Sequence, residues 1–96
     1  MLSNYSIVSV NENKETIIDL SVFPNPASSI INFVTTSPLA SKVIAFDVTG
    51  KIVATELLEM GKAKMNLTNL SSGMYIYHVV DKDNQVLKSD KFNVSK

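Results

Sequence analysis

The residue types that most often carry chemistry are scarce in this chain. His78 is the single histidine, and cysteine is absent. No second histidine or carboxylate is spaced so that strand geometry would bring it to a metal ion beside His78. No serine stands in a Gly-x-Ser-x-Gly segment, which a nucleophile elbow requires. Neither a metal site nor a nucleophile with its base can be assembled, so we expect no catalytic residue, no metal and no cofactor.

Asp81 and Asp83 flank a predicted turn at Lys82-Asp83-Asn84. A calcium loop would also need a central glycine and a distal glutamate, and both are missing here. Aspartates in turns normally accept hydrogen bonds from their own backbone. We expect this pair to be structural.

Length and charge narrow the class of protein further. The 96 residues suffice for one domain and its core. Nine basic residues balance nine acidic ones, which leaves no net field to attract nucleic acid. The apolar runs are far shorter than the roughly 20 residues that span a bilayer. We therefore expect no nucleic-acid partner and no transmembrane segment.

The secondary-structure elements that carry His78, Asp81 and Asp83 are predicted to be strands and the turns between them. Short apolar stretches rich in Val and Ile alternate with turn formers, a pattern typical of a sandwich or barrel. The predicted strands are Ile17 to Phe23, Ile30 to Thr35, Lys42 to Val48, Lys51 to Leu58, Ala63 to Leu67, Met74 to Asp81 and Gln85 to Val94. Tyr5 to Val10 could add an edge strand. Residues 1–16 are thus a linker or edge strand, and residues 17–96 form the domain.

Alternation within the strands predicts which side chains face the core. In the first three strands the predicted core residues are Ile18, Leu20, Val22, Ile31, Phe33, Ile44, Phe46 and Val48. In the sixth strand Tyr75, Tyr77 and Val79 share one face, and the other face is also largely apolar. This pattern predicts a central strand with much of its second face covered.

Three segments mark the connections. Thr49-Gly50 predicts a tight hairpin, and Pro24 and Pro26 end the first strand at a crossing between sheets. Gly73, just before a strand, and Tyr75, two residues later, match a tyrosine corner, in which the phenol bonds to nearby backbone.

Taken in order, three motifs resemble a known family: Phe23-Pro24-Asn25-Pro26-Ala27-Ser28, Phe46-Asp47-Val48-Thr49-Gly50-Lys51 and Leu70-Ser71-Ser72-Gly73-Met74-Tyr75. The set is similar to the type A C-terminal sorting domain of the type IX (Por) secretion system of Bacteroidetes. The matching positions, all consistent with an architectural role, are Pro24, Asn25, Pro26, Gly50, Lys51, Gly73 and Tyr75.

The resemblance implies an all-β fold, an immunoglobulin-like antiparallel sandwich of about seven strands, without catalytic activity. It implies a domain that directs a covalently attached N-terminal cargo through the outer-membrane type IX translocon. The implied partners are that translocon and its sorting and cleavage machinery. The implied destination, reached through the periplasm, is the cell surface or the extracellular space.

The resemblance also points to the terminal strand as the recognised segment, with Lys88, Lys91, Phe92, Val94 and Lys96 as candidate residues. An edge strand presents unpaired backbone groups, so a receptor could add a strand to it. We expect Phe92 and Val94 to pack inward and the three lysines to stay solvated. Truncation after Lys91 is expected to impair export and to leave most of the fold.

A second hypothesis is an immunoglobulin- or fibronectin-like accessory module that binds carbohydrate or protein beside a catalytic domain. Sugar-binding modules usually offer a planar cluster of exposed aromatic rings. This chain has no tryptophan, and two of its three tyrosines lie in one strand on the presumed core face. The composition therefore disfavours carbohydrate binding.

Overall fold

Strands pair into two antiparallel sheets over residues 18–96, the part of the chain described by this computed structural model. The seven strands of this part are β1 (Ser21–Phe23), β2 (Ile30–Val34), β3 (Lys42–Phe46), β4 (Ile52–Leu57), β5 (Lys62–Asn66), β6 (Gly73–Val80) and β7 (Val86–Val94). The three-stranded sheet has the order β1-β2-β5, and the four-stranded sheet has the order β4-β3-β6-β7. The predicted all-β immunoglobulin-like sandwich is confirmed. The predicted edge strand Tyr5 to Val10 and the linker 1–16 lie outside the described residues.

The core lies between the inward faces of the two sheets. Its largest fully buried side chains are Phe33, Phe92, Ile31, Met65, Leu67, Val43 and Val79. The ring of Phe33, from the three-stranded sheet, meets the ring of Tyr77 edge-on at 5.1 Å between centroids. Such aromatic pairs stabilise a core beyond the area that they bury. Tyr77, on β6, therefore anchors one sheet to the other.

The prediction for β3 was wrong about its buried face. Val43 and Ala45 are buried, whereas Ile44 and Phe46 are half-buried on the outer face and Val48 is 67% exposed. Both alternating sets of this strand are apolar, so alternation alone could not choose between them. Pairing with β6 decides the face, because Ala45 lies opposite the bulky Tyr77, where a small side chain leaves room for the ring.

Strand β6 is central, as predicted, with β3 on one side and β7 on the other. Its second face, predicted to be largely covered, is covered only in part: Val80 is 2% exposed and His78 is half-buried, whereas Met74 is 44% exposed and Ile76 is 36% exposed. Only neighbouring side chains shield it, as where the ring of Phe46 packs on His78 at 4.7 Å. The four-stranded sheet therefore presents an apolar outer surface.

The described chain enters the sandwich at the end where β2 finishes. There the Thr36 hydroxyl donates to the Asp19 carboxylate at 2.6 Å, and the Thr35 N–H donates to the Gly61 carbonyl at 2.8 Å. Gly61 has a φ of 79°, and a Cβ at this position would collide with the Thr35 carbonyl oxygen. We call this the entry end of the sandwich.

Candidate recognition site at the C-terminal strand

Segments far apart in the sequence meet at the end of the sandwich opposite the entry end. The register places Gly73 beside Val94 and Phe46 beside Ile76, so the hairpin after β3 lies near the end of β7. The proline-containing segment after Phe23 reaches the same place, since Ala27 bridges to Val94. We call this the motif end, formed by residues 24–27, 47–51, 66–73 and 93–96. All three motifs that carried the resemblance lie there.

The proline segment is hydrogen-bonded to the end of β7. The Ala27 N–H donates to the Asn93 carbonyl at 2.9 Å, and the Ser95 N–H donates to the Ala27 carbonyl at 2.8 Å. The side-chain oxygen of Asn25 accepts the Asn93 N–H at 3.1 Å. Pro24 and Pro26 have no N–H to donate. The backbone donor to β7 is Ala27, and Asn25 contributes a side-chain acceptor. This pairing closes the outer edge of β7 over its last residues.

The tyrosine corner forms as predicted. The Tyr75 hydroxyl donates to the Ser71 carbonyl at 2.7 Å. The Tyr75 ring stacks on Phe92 of β7, with 5.7 Å between centroids. The loop before β6 is thereby tied to the terminal strand through a single side chain.

Lys96 is fixed at the same end. Its ammonium donates to the carbonyl of Leu67 at 2.8 Å and to that of Thr68 at 3.0 Å. Its backbone N–H donates to the Ser72 hydroxyl oxygen at 3.0 Å. Lys96 is exposed, as expected, but its ammonium is held by these two backbone carbonyls, which lie in the loop after β5.

The hairpin motif is organised by Asp47. One carboxylate oxygen of Asp47 accepts the Thr49 hydroxyl at 2.6 Å, the Thr49 N–H at 2.9 Å and the Lys51 N–H at 3.1 Å. The Thr49 hydroxyl above all, together with the Lys51 N–H, holds the pKa of the Asp47 carboxyl below its ordinary value. Gly50 has a φ of 89°, which confirms the predicted turn.

The candidate recognition residues of β7 differ in burial, although Lys88 shares a strand face with Phe92 and Val94. Phe92 is fully buried and Val94 is 3% exposed, so both pack inward as expected. Lys88 and Lys91 are exposed. Truncation after Lys91 would remove two core side chains, Phe92 and Val94, which argues against the expectation that it leaves most of the fold.

Sequence reasoning missed Ala27 and Asn93, whose pairing closes the motif end. Ala27 is 1% exposed because its backbone lies against β7. The signal available was a small residue directly after a rigid Pro-Asn-Pro turn, which permits close backbone approach. Its hydrogen-bond partners, Asn93 and Ser95, lie at least 66 positions later in the sequence, so local periodicity could not identify them.

The titratable residues that were considered as candidates for chemistry lie in turns or in the core. One carboxylate oxygen of Asp81 accepts the N–H groups of Asp83 and Gln85 at 2.8 and 2.9 Å, as expected for a turn. Burial, and secondarily the charge of Asp90, raises the pKa of the Tyr77 phenol.

Within residues 18–96, no three potential metal-binding side chains of the His, Cys, Asp or Glu type come together. No helix in that same range could cross a membrane.

A sequence-family model described as "Secretion system C-terminal sorting domain" matches residues 21–94. The chain belongs to this family. The match extends from the first residue of β1 to the last residue of β7, so it includes both sheets and the whole motif end. No curated protein matches the sequence.

Membership of the sorting-domain family confirms the resemblance drawn from the three motifs. A domain of this family is a sorting signal of type IX secretion and not a catalytic unit. It implies a secreted protein, a link to the type IX secretion machinery and an attached cargo.

Proposed function

We propose that this sorting domain directs its attached cargo through the outer-membrane type IX translocon, and that the translocon reads the terminal strand β7. The cargo, carried through the periplasm, reaches the cell surface or the extracellular space, where the sorting and cleavage machinery acts on the domain. The observation that carries this proposal is the pairing of residues 25–27 with the end of β7. That pairing makes the terminal strand part of a composite, folded motif end.

The buried and the exposed residues of β7 have different roles in this proposal. Phe92 and Val94 hold the strand in place, since both are buried in the core. Lys96 fixes the last residues through the carbonyls of Leu67 and Thr68. Lys88 and Lys91 offer exposed cations that an acidic receptor surface can bind. Of the five candidate residues, these two lysines make direct contact with the receptor.

The backbone of β7 limits where a receptor strand could be added. The N–H and C=O of Asn93 point away from β6, to Asn25 and Ala27. In an antiparallel pair this orientation recurs at every second residue, so the backbones of Ser89 and Lys91 also point outward. The Lys91 N–H is satisfied by the Asp90 carboxylate at 2.8 Å. Strand addition is therefore proposed along Val86 to Ser89, upstream of the closed end and of the occupied Lys91 N–H.

The accessory-module hypothesis gains no support from the aromatic residues. Tyr75 is 6% exposed and Tyr77 is 4% exposed, so neither ring can stack on a sugar. Phe23 is 47% exposed on the other sheet, but no second exposed aromatic ring accompanies it among the described residues. Export therefore remains the function best supported.

The test is a fusion of the full chain to a reporter delivered to the periplasm of a bacterium with a type IX system. The wild-type fusion should appear outside the cell. Lys88→Ala with Lys91→Ala should leave the reporter in the periplasm, while Lys62→Ala with Lys64→Ala, two exposed lysines of β5, should not. Each of these surface changes should alter the free energy of unfolding by less than about 0.5 kcal/mol. Periplasmic retention of the wild-type fusion would contradict the proposed function.

A further inference from the structure

The outer face of the four-stranded sheet carries an apolar cluster that the fold does not bury. Ile52, Phe46 and Ile76 lie side by side across β4, β3 and β6, and Met74 follows toward the motif end. Ile52 is 56% exposed, Met74 is 44% exposed and Ile76 is 36% exposed. We call these four residues the outer patch.

The outer face of the other sheet is mixed. Phe23 is 47% exposed and Ile30 is 39% exposed there, but each lies opposite an asparagine, Asn32 and Asn66 respectively. The outward positions of β5 are Lys62, Lys64 and Asn66, all exposed. Beside them on β2 lies Asn32, whose amide donates to the Phe23 carbonyl at 3.2 Å. A sheet with one solvated face normally alternates apolar inward and polar outward. The outer patch departs from this rule, and contiguous exposed apolar patches commonly mark binding sites.

The charged side chains at the outward positions of the four-stranded sheet are of one sign. Lys91 continues the row of Ile76 beside the outer patch, and Lys42 lies on the same face of β3 but at its far end, opposite Leu57. The nearby carboxylates of Glu56 and Asp90 belong to the opposite face, since they pair with the core-facing Val43 and Tyr77. The outward positions of the four strands therefore carry two lysines and no carboxylate, in a chain whose net charge is zero.

We infer that the outer patch docks a protein surface with an apolar centre and a carboxylate-bearing rim, a component of the export machinery. This inference rests on the proposed function and adds a side-chain contact to the strand edge already described. The charge pattern selects the partner, because opposite charges at a rim steer association and like charges oppose it. An anionic membrane is disfavoured, since lipid-binding segments usually carry about four to eight clustered basic residues.

The decisive comparison reverses the charge placed in the outer patch. In the reporter fusion, Met74→Asp should reduce export at least about tenfold, because it puts a carboxylate against an apolar and acidic surface. Met74→Lys, at the same position, should be exported better than Met74→Asp. Leu57→Asp is the matched control, since Leu57 is 63% exposed on the same face but near the other end of the sheet. Thermal unfolding of each purified full chain shows whether the fold survives.

The outcomes separate this inference from the proposed function. If the wild-type fusion is not exported, the proposed function fails. If the wild type is exported and Met74→Asp is exported as well as Leu57→Asp, the outer patch is not a docking site and only this inference fails. Export of Met74→Asp above that of Met74→Lys would overturn the acidic partner.

Three other occupants of the outer patch are possible outcomes of the test. Each predicts an experimental result that would overturn the inference. A dimer of the purified chain that Met74→Asp dissociates, measured by sedimentation, would assign the patch to a second copy. Binding to phosphatidylglycerol vesicles that Met74→Asp abolishes would assign it to a membrane. The chain has no cysteine, so Met74→Cys can carry a single photo-crosslinker. A crosslink from that position to residues 1–17 of the same chain would assign the patch to that segment.

Discussion

The side-chain oxygen of Asn25 accepts the backbone N–H of Asn93 at 3.1 Å, although the two residues are 68 positions apart. This bond, with the backbone pairing of Ala27, turns the beginning and the end of the described domain into one surface. The terminal strand is thus recognised, in our proposal, as part of a folded end and not as a loose peptide.

Removal of that bond should weaken the motif end. Asn25→Ala leaves the Asn93 N–H without its partner, and we expect a loss of about 0.5–1.5 kcal/mol in the free energy of unfolding. Chemical denaturation of the full chain measures the change. Asn69→Ala, at an exposed turn position of the same end, is the control and should be near neutral. Equal losses for the two variants would contradict a specific role for Asn25.

The two buried tyrosines should respond differently to loss of the hydroxyl. Tyr75→Phe removes the 2.7 Å bond to the Ser71 carbonyl and should cost about 1 kcal/mol of stability. No hydrogen bond from the Tyr77 hydroxyl is found among the described residues, so Tyr77→Phe should cost less. Urea denaturation of both variants provides the comparison. A larger loss for Tyr77→Phe would be incompatible with the tyrosine corner as the more important bond.

Asp47 should make the hairpin sensitive to acid. The Thr49 hydroxyl and the Lys51 N–H lower the pKa of its carboxyl in the folded state, so the charged form is favoured by folding. Its contribution is then present above the ordinary aspartate pKa of about 3.9 and is lost as the pH falls through the lower, folded value.

The measurement is the difference in Tm between the wild type and Asp47→Asn from pH 6 to pH 2.5. Asparagine keeps an acceptor oxygen, so the difference reports the charge. The wild-type advantage should be full at pH 6 and should shrink below about pH 4. Some acid sensitivity should persist in the variant, because the Thr36 hydroxyl likewise lowers the pKa of Asp19. An advantage that is constant across the range would refute the role of the Asp47 charge.

The glycines at 61 and 50 should differ in their tolerance of alanine. Both have a positive φ, 79° and 89°, so each alanine adopts the left-handed region at a cost of about 1–2 kcal/mol. At Gly61 the new Cβ also meets the Thr35 carbonyl oxygen, whereas at Gly50 it meets open space. Gly61→Ala should therefore be clearly the more destabilising variant in thermal unfolding. Equal Tm values would mean that the loop around Thr35 relaxes freely.

Local patterns predicted much of the fold and part of the site. The β6 alternation identified Tyr75 and Tyr77 as core residues, and the Gly73-x-Tyr75 spacing identified the tyrosine corner, because both signals lie within a few residues. The outward position of Phe46 was not predictable in this way, since it depends on the register between β3 and β6. The bonds of Asn25 and of the Lys96 ammonium were likewise missed, because they join loops that only the complete fold brings together.

The described chain enters at the end of the sandwich where Asp19 bonds to Thr36, and the motif end lies at the other. The entry end and the motif end are therefore two distinct, opposite ends of the domain. The first described residues, which lead into β1, lie one full strand length away from the motif end. In our proposal the signal that the translocon reads is a property of the folded domain alone, so one sorting module can serve cargoes that share no structure with each other.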